Sequence, residues 1–336
     1  MLTAAPLDRE QVTALGRGEL PGEVAGIMRS ACRRRRRLVA EVVRRASRVQ
    51  APWTSTRIGE ALDADDPLLD DPCVGAWLEH VARTPIDLDD VAARAVLAPR
   101  EDPLLTVEFE PGFAVALDDR TAARHIIAPT PTGRLQGESL HTWRTHLTTA
   151  WDWVVRYHEK WAPGIRVGLD RIIQQDSPDP LRHVSSSSRD AFGVIGLSDT
   201  EDVRTLAVAM VHEVQHVKLG GLLEVLPVHH ADDVPRHNVA WREVPRPFEA
   251  FLQGIIAFAA VAEFWRTEVL LAQAEGRQDP RADHEYFRWA PAVTASLSEA
   301  SASGALEPAG EWLIEGLRSM ADEWGDPLPD TRSAQA

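Results

Sequence analysis

Five residues, His212-Glu213-Val214-Gln215-His216, follow the pattern H-E-x-x-H. On an α-helix of about 3.6 residues per turn, positions four apart stand nearly above one another, so His212 and His216 can offer imidazole nitrogens to one metal ion. Glu213 is rotated by about 100° and can act beside that ion as a catalytic carboxylate. With 12 histidines in the chain, chance supplies this pattern only about 0.03 times, and the alternative is a pair of ordinary core or surface histidines.

The pattern needs a helix to hold it. Ser198-Asp199-Thr200-Glu201 reads as a capping box, and Val203, Leu206, Ala207, Met210, Val211 and Val214 mark an apolar face, so a helix is predicted from Asp199 to about Leu226. Two histidines hold a metal poorly, and a third ligand must come from elsewhere. Leu219 and Leu222 occupy the Gly and His places of the longer H-E-x-x-H-x-x-G-x-x-H pattern, which excludes that option. Pro245-Arg246-Pro247 opens a second predicted helix, Phe248 to about Glu275, with Pro247 suited to a first-turn position and Glu249 in the N-terminal turn. Glu249 lies among Phe248, Ala250, Phe251 and Leu252, where an acid is rarely buried unpaired, so it leads as third ligand. Glu263 has a similar setting, whereas Glu224, Asp232, Asp233 and Glu243 are more loop-like. The alternative ligand source is the cluster His229, His230 and His237, otherwise surface loop histidines.

Two histidines and a carboxylate suit two ions. Zinc(II) would be tetrahedral, with water in the open position and Glu213 as general base, which is peptidase chemistry. Iron(II), nearer octahedral, would leave places for a bidentate 2-oxo acid and for oxygen, which is hydroxylase chemistry. The distal carboxylate of such an acid wants an arginine fork or a lysine. Arg246, near the predicted face of Glu249, and Arg242 are the candidate anchors, and either could equally be structural. Lys218 lies about 200° round the helix from His216, away from the metal, and reads as a solvated or interhelical lysine.

The run from His212 through Val217-Lys218-Leu219-Gly220-Gly221-Leu222-Leu223, with Trp241-Arg242, Arg246-Pro247-Phe248-Glu249 and Leu252-Gln253-Gly254, resembles the HExxH-motif domain family. That family is associated with 2-oxoglutarate- and iron(II)-dependent peptide β-hydroxylation, with O2 as co-substrate. Some members are fused to radical SAM maturases of ribosomally made peptides. The segment Ser185 to Ser198 adds to the resemblance, which covers roughly residues 140 to 270 well and the N-terminal third weakly. It implies that His212, His216 and Glu249 form an iron facial triad, that the substrate is a peptide or peptide-like molecule, and that a radical SAM maturase acts in the same pathway. Glu213 would then lose its protease role. Ile256 and Ala250 depart from the family pattern, which tends to carry Tyr and Gly there, and this bears on substrate shape more than on metal binding.

Around these residues the sequence predicts an α+β fold, mainly helical, with a small antiparallel sheet packed against the H-E-x-x-H helix and the following ligand-bearing helix. Apolar spacing gives two helices between Arg9 and Val49, another over Val74 to Arg83, and a tryptophan-rich amphipathic helix from His141 to Trp161 ended by Pro163-Gly164. Leu105 to Leu117 alternates like a strand pair turning at Pro111-Gly112, and Arg171 to Gln175 and Ala191 to Leu197 read as strands with the polar Ser185 to Ser188 between them. The serines read as loop or strand-edge residues, since no Gly-x-Ser-x-Gly turn surrounds them. Shorter helices follow between Asp283 and Trp324. The expected organisation is a helical region 1–103, a metal-binding catalytic region 104–325 and a loose tail 326–336.

Composition narrows the partners. With 44% hydrophobic residues the 336-residue chain can build one large or two modest cores. Its 51 acidic against 36 basic residues, a net charge of -15, would repel a polyanion, so nucleic acid is not an expected partner. The basic run Arg33 to Arg37 reads as a solvated helix face. Cys32 and Cys73 are isolated thiols, which excludes thiolate metal clusters and suits a reducing cytoplasm. No signal sequence or membrane span is expected, because the most apolar window, Phe248 to Trp265, contains Glu249 and Glu263.

Overall fold

The computed structural model describes residues 7–84, 89–98, 102–179, 182–230, 234 and 236–324. The expected tail 326–336 lies outside them, as do Asp232 and Asp233. The chain divides into two compact units, Leu20–Val225 and a second made of Ala5–Glu19 with Leu226 onward. The change of texture near residue 103 falls inside the first unit.

The first unit carries helices α2 (Gly22–Ala46), α3 (Pro52–Asp63), α4 (Pro72–Arg83), α5 (Asp90–Leu97), α6 (Gly137–Tyr157), α7 (Ala162–Gly168) and α8 (Val203–Leu223). Its strands are β1 (Leu105–Glu110), β2 (Phe113–Leu117), β3 (Arg171–Gln175), β4 (Ser185–Ser187) and β5 (Val194–Ser198), in the spatial order β1-β2-β3-β5-β4. The fold is α+β and mainly helical, as the apolar periodicities predict. The sheet, however, is mixed: β1 with β2 and β4 with β5 are antiparallel, but β2–β3 and β3–β5 are parallel. The reason lies in the connections. The β1–β2 hairpin closes through Gly112 at φ 87°, whereas β2 reaches β3 through α6 and α7, and such a helical crossover returns the chain in the same direction. Pro163 does not end a helical region but sits in the first turn of α7, where its missing N–H costs nothing.

β3 and β5 are buried runs, with Ile172, Ile173, Val194, Ile195 and Leu197 inaccessible to solvent, whereas β2 alternates. Helix α8 packs on β4 and β5, and α6 lies on α8 with Trp143, Leu147 and Trp151 buried. The arginine run on α2 is a solvated face only in part: Arg33 and Arg34 are exposed, Arg35 and Arg37 half-buried and Arg36 buried. Arg36 is 8% exposed and donates to the Asp70 carbonyl, Arg35 Nε donates to Glu79 at 2.5 Å, and Arg33 and Arg37 pair with Asp70 and Asp65. The acidic stretch after α3 thus holds Arg33, Arg36 and Arg37, while Arg35 turns to Glu79 and Glu224.

The second unit contains α1 (Arg9–Gly16), the ribbon β6 (His237–Val239) with β7 (Arg242–Arg246), α9 (Phe248–Ala274), α10 (Pro280–Ala302) and α11 (Pro308–Asp322). α1 crosses α11 at Gly16 and Gly316, where a Cβ on either would stand 2.3 or 2.1 Å from the opposing backbone. α9 is apolar nearly all round and is packed on α10. Among the described residues, no helix is long and apolar enough to cross a membrane.

One buried ionic cluster fastens the first unit. Arg171, which opens β3, donates to Asp71 at 2.8 Å and to Asp118 at 2.9 Å, tying the start of α4 to the end of β2. Burial alone would raise the Asp118 carboxyl; the Arg171 charge and the Thr121 and Arg120 donors outweigh it and hold the carboxyl below its ordinary value. A depressed folded value means stability that is present above the ordinary carboxylate range and lost as pH falls through the folded value. Arg171→Met is expected to destabilise the chain by about 3–5 kcal/mol at neutral pH in urea unfolding. The deficit should shrink as pH is lowered below about 4, the ordinary aspartate value. A pH-independent deficit would contradict this account.

Candidate metal centre

Helix α8 starts four residues later than its capping box suggests. Asp202 is the N-cap and accepts from the Thr205 N–H at 3.1 Å. Ser198 instead ends β5, its hydroxyl accepting from the Val184 N–H at 2.9 Å. The ladder between β4 and β5 has claimed the residue that local pattern assigned to the helix. The central turns are unaffected, and the motif lies in the middle of α8.

There the Nε2 atoms of His212 and His216 are 3.1 Å apart, with ring centroids 4.8 Å apart and planes at 79°. With metal–nitrogen bonds of about 2.1 Å, two nitrogens on one ion stand about 3.0 to 3.4 Å apart for angles from 90° to tetrahedral, so the observed spacing fits iron(II) or zinc(II). His212 has a side chain only 18% exposed. Burial first, and the neighbouring His216 second, push its pKa down to about 4, with Glu213 opposing. The ring is therefore neutral at pH 7, the state a metal ligand needs.

Glu213 is 2% exposed. Its Oε1 lies 3.9 Å from His212 Nε2, and its Oε2 accepts from the Ser187 hydroxyl at 2.6 Å. Ser187, on β4, is thus a partner of the motif that sequence reading passed over as an edge residue. The strand alternation was the available signal, since it puts Ser187 on the sheet face that α8 covers while Ser186 faces Gly196 and Gln175. Near Glu213, His183 has a buried Nε2 with no hydrogen-bond partner among the described residues, and burial lowers its pKa. Lys218, one turn and a half beyond Glu213, is 1% exposed and so is not a solvated lysine.

Glu249 belongs to the second unit and is described within it. Pro247 is the N-cap of α9, with Glu249 in the first turn. Its Oε2 lies 3.6 Å from His229 Nε2, and His229 is itself only 11% exposed, its Nδ1 2.7 Å from the His230 carbonyl. His230 pairs with Glu307 and His237 with Glu299, each at 2.7 Å, and His237 stacks on Phe251. This cluster is therefore an ordered set of histidine–acid pairs, and His229 and His237 are not surface histidines. Arg242 and Arg246 do not extend the face of α9; they begin and end β7, with Arg242 exposed and Arg246 half-buried. Trp241 lies over Gly254, where a Cβ would meet its indole at 2.3 Å, and it stacks on Phe258. Of the other acids, Glu224 is held by Arg35 and Arg189, and Glu263 is buried with Arg266 3.8 Å away. Among the described residues, no group of three or more His, Cys, Asp or Glu side chains stands in metal-binding geometry.

No protein-family model matches the chain, and no curated protein matches it.

The Ser187–Glu213 bond is the contact most open to a direct test. Removing it leaves a buried carboxylate short of a donor, so Ser187→Ala is expected to lower the stability of the metal-free protein by about 1–3 kcal/mol. Ser185→Ala, whose hydroxyl makes no such bond, should stay within about 0.5 kcal/mol of the parent. Equal effects in chemical denaturation would show that the bond has no special weight.

Proposed function

We propose that this chain is an iron(II)- and 2-oxoglutarate-dependent dioxygenase that hydroxylates a side-chain Cβ of a peptide or peptide-like substrate. The observation that carries the reading is the convergence of the His212 and His216 Nε2 atoms, 3.1 Å apart on one face of a buried helix. Glu249 as third ligand comes from the sequence reading and the resemblance; Arg246 and Arg242, read from sequence position as candidate anchors for the distal carboxylate of the oxo acid, lie at the two ends of β7.

When bound, iron(II) with 2-oxoglutarate and O2 supplies the oxidising power that turns a C–H bond into C–OH, with release of succinate and CO2. The protein's own part is to bind and orient. His212, kept neutral by burial, offers its Nε2 lone pair without first losing a proton at pH 7. Glu213 is too well held to swing away, because Ser187 fixes one oxygen and leaves the other beside His212. In this reading Glu213 contributes negative charge beside the His212 Nε2 that would face the metal.

A second reading has one observation in its favour. Glu213 Oε1, 3.9 Å from His212 Nε2, is also placed to take a proton from a zinc-bound water, which is what a peptidase of the H-E-x-x-H plus Glu type requires. The two readings separate in one experiment. Metal-free full-length protein is reloaded with iron(II) or zinc(II) and assayed for succinate from 2-oxoglutarate under oxygen, with and without candidate peptides, and for peptide cleavage. The dioxygenase reading expects succinate with iron only, uncoupled turnover included, a product heavier by one oxygen atom with a substrate peptide, and loss of both in His212→Ala, His216→Ala and Glu249→Ala. Cleavage by the zinc form that vanishes in Glu213→Gln while metal is retained, with no succinate from the iron form, would replace it with the peptidase.

A further inference from the structure

The edge of the first unit's sheet beside the histidine pair is bare. β4 is the outermost strand, bonded to β5 on one side only. In an antiparallel pair the residues alternate between those that bond the partner strand and those whose N–H and C=O point away from it. Ser198 N–H bonds the Val184 carbonyl, so Val184 and Ser186 face β5, while Ser185 and Ser187 turn their backbone groups outward. Among the described residues, no backbone group outside the β4–β5 ladder bonds those of Ser185 or Ser187. All three β4 residues are half-buried, so the edge is neither sealed in the core nor free on every side.

Proteins ordinarily blunt such an edge with lysine, proline, a bulge or an inward charge. β4 carries none of these: the segment Val184-Ser185-Ser186-Ser187-Ser188 is uncharged, small and regular in register. Its neighbourhood is equally specific. Ser187 Oγ is bonded at 2.6 Å to Glu213, the residue next to His212, so the open backbone runs within one side-chain contact of the candidate metal pair.

We infer that the β4 edge is the substrate-binding rail: an extended peptide segment adds to it as a further strand, exchanging backbone hydrogen bonds with Ser185 and Ser187. Alternating outward N–H and C=O groups are matched only by another extended backbone, which commits the occupant to a peptide and not to a small acid or a sugar. Recognition through main chain leaves the peptide's sequence largely unread at these positions. A strand on this edge also presents alternate side chains toward the α8 face, which brings one Cβ in two to the side where Glu213 and the histidines lie. The inference rests on the peptide class of the reading above and adds the mode of binding.

The test uses the full chain without metal, so that it does not depend on turnover. The probe is a pool of randomised decapeptides carrying one photoreactive benzoylphenylalanine; a second pool is identical but N-methylated at every residue, which removes the donors from both edges of an added strand. Irradiation should place cross-links on residues 183–188 with the first pool, and the yield should fall at least about tenfold with the second, the loss of one or two net hydrogen bonds. Ser185→Pro, which removes an outward N–H that no ladder bond uses and so is tolerated at an edge, should lower the yield similarly, with Ser185→Ala unchanged. The N-methylated pool decides the matter should Ser185→Pro fail to fold. Cross-links elsewhere, no cross-links, or equal yields from the two pools overturn the rail. Should that happen while the iron form still makes succinate, the dioxygenase reading stands without it; cross-links on β4 with no succinate leave the rail standing and remove the dioxygenase.

Discussion

A carboxylate that is 2% exposed has to be paired, and in this protein the pairing of Glu213 sets the geometry of everything around it. The Ser187 hydroxyl reaches it from the outermost strand, and His212 Nε2 lies 3.9 Å from its other oxygen. One side chain thereby fixes three things: the rotation of α8, the approach of β4 to that helix, and the sign of the charge beside the two imidazoles.

Local pattern misplaced the start of α8 and yet kept the spacing of its two histidines. Ser198-Asp199-Thr200-Glu201 has the composition of a capping box, but Ser198 also stands where β5 must continue to complete its pairing with Val184. Tertiary hydrogen bonding claims it, and Asp202 caps instead. The H-E-x-x-H spacing is immune to that shift, since it depends only on residues four apart within an unbroken helix. Strands with clear alternation, Leu105 to Leu117, were equally legible. The direction in which β3 and β5 run was not, because a continuous apolar segment looks the same in a parallel or an antiparallel neighbourhood, and only the length of the α6–α7 crossover decides. Ser187 escaped notice for a related reason: its partner is 26 positions away on another element.

Charge was harder to read than apolar periodicity. The arginines Arg33 to Arg37 and the acids around Asp63 to Asp71 each look like solvated runs when taken alone, yet Arg33, Arg36 and Arg37 meet Asp65 and Asp70 within one unit, and Arg36 is buried in the process. Likewise His229 and His237 seem to be loop residues until their acids are located on α9 and α10. Opposite runs separated by a single helix are legible as partners only once the turn between them is known.

The two helices that carry the candidate residues, α8 and α9, are the least amphipathic long helices of their units, buried on nearly every side. For an ordinary core helix the stable solution is apolar residues throughout, since each buried polar group costs free energy unless it is hydrogen-bonded or paired. α8 nevertheless buries Glu213, Gln215 and Lys218 and half-buries His212 and His216, and α9 opens with Glu249 against His229. Gln215 satisfies itself on the Val211 carbonyl at 3.3 Å, and Glu213 depends on a serine of the sheet. A hydrophobic isostere at these positions would need no such partners and would stabilise the helix at least as well. Of these, Glu213 stands next to the two convergent imidazole nitrogens of α8, and its burial is sustained by the Ser187 hydroxyl and not by apolar contact.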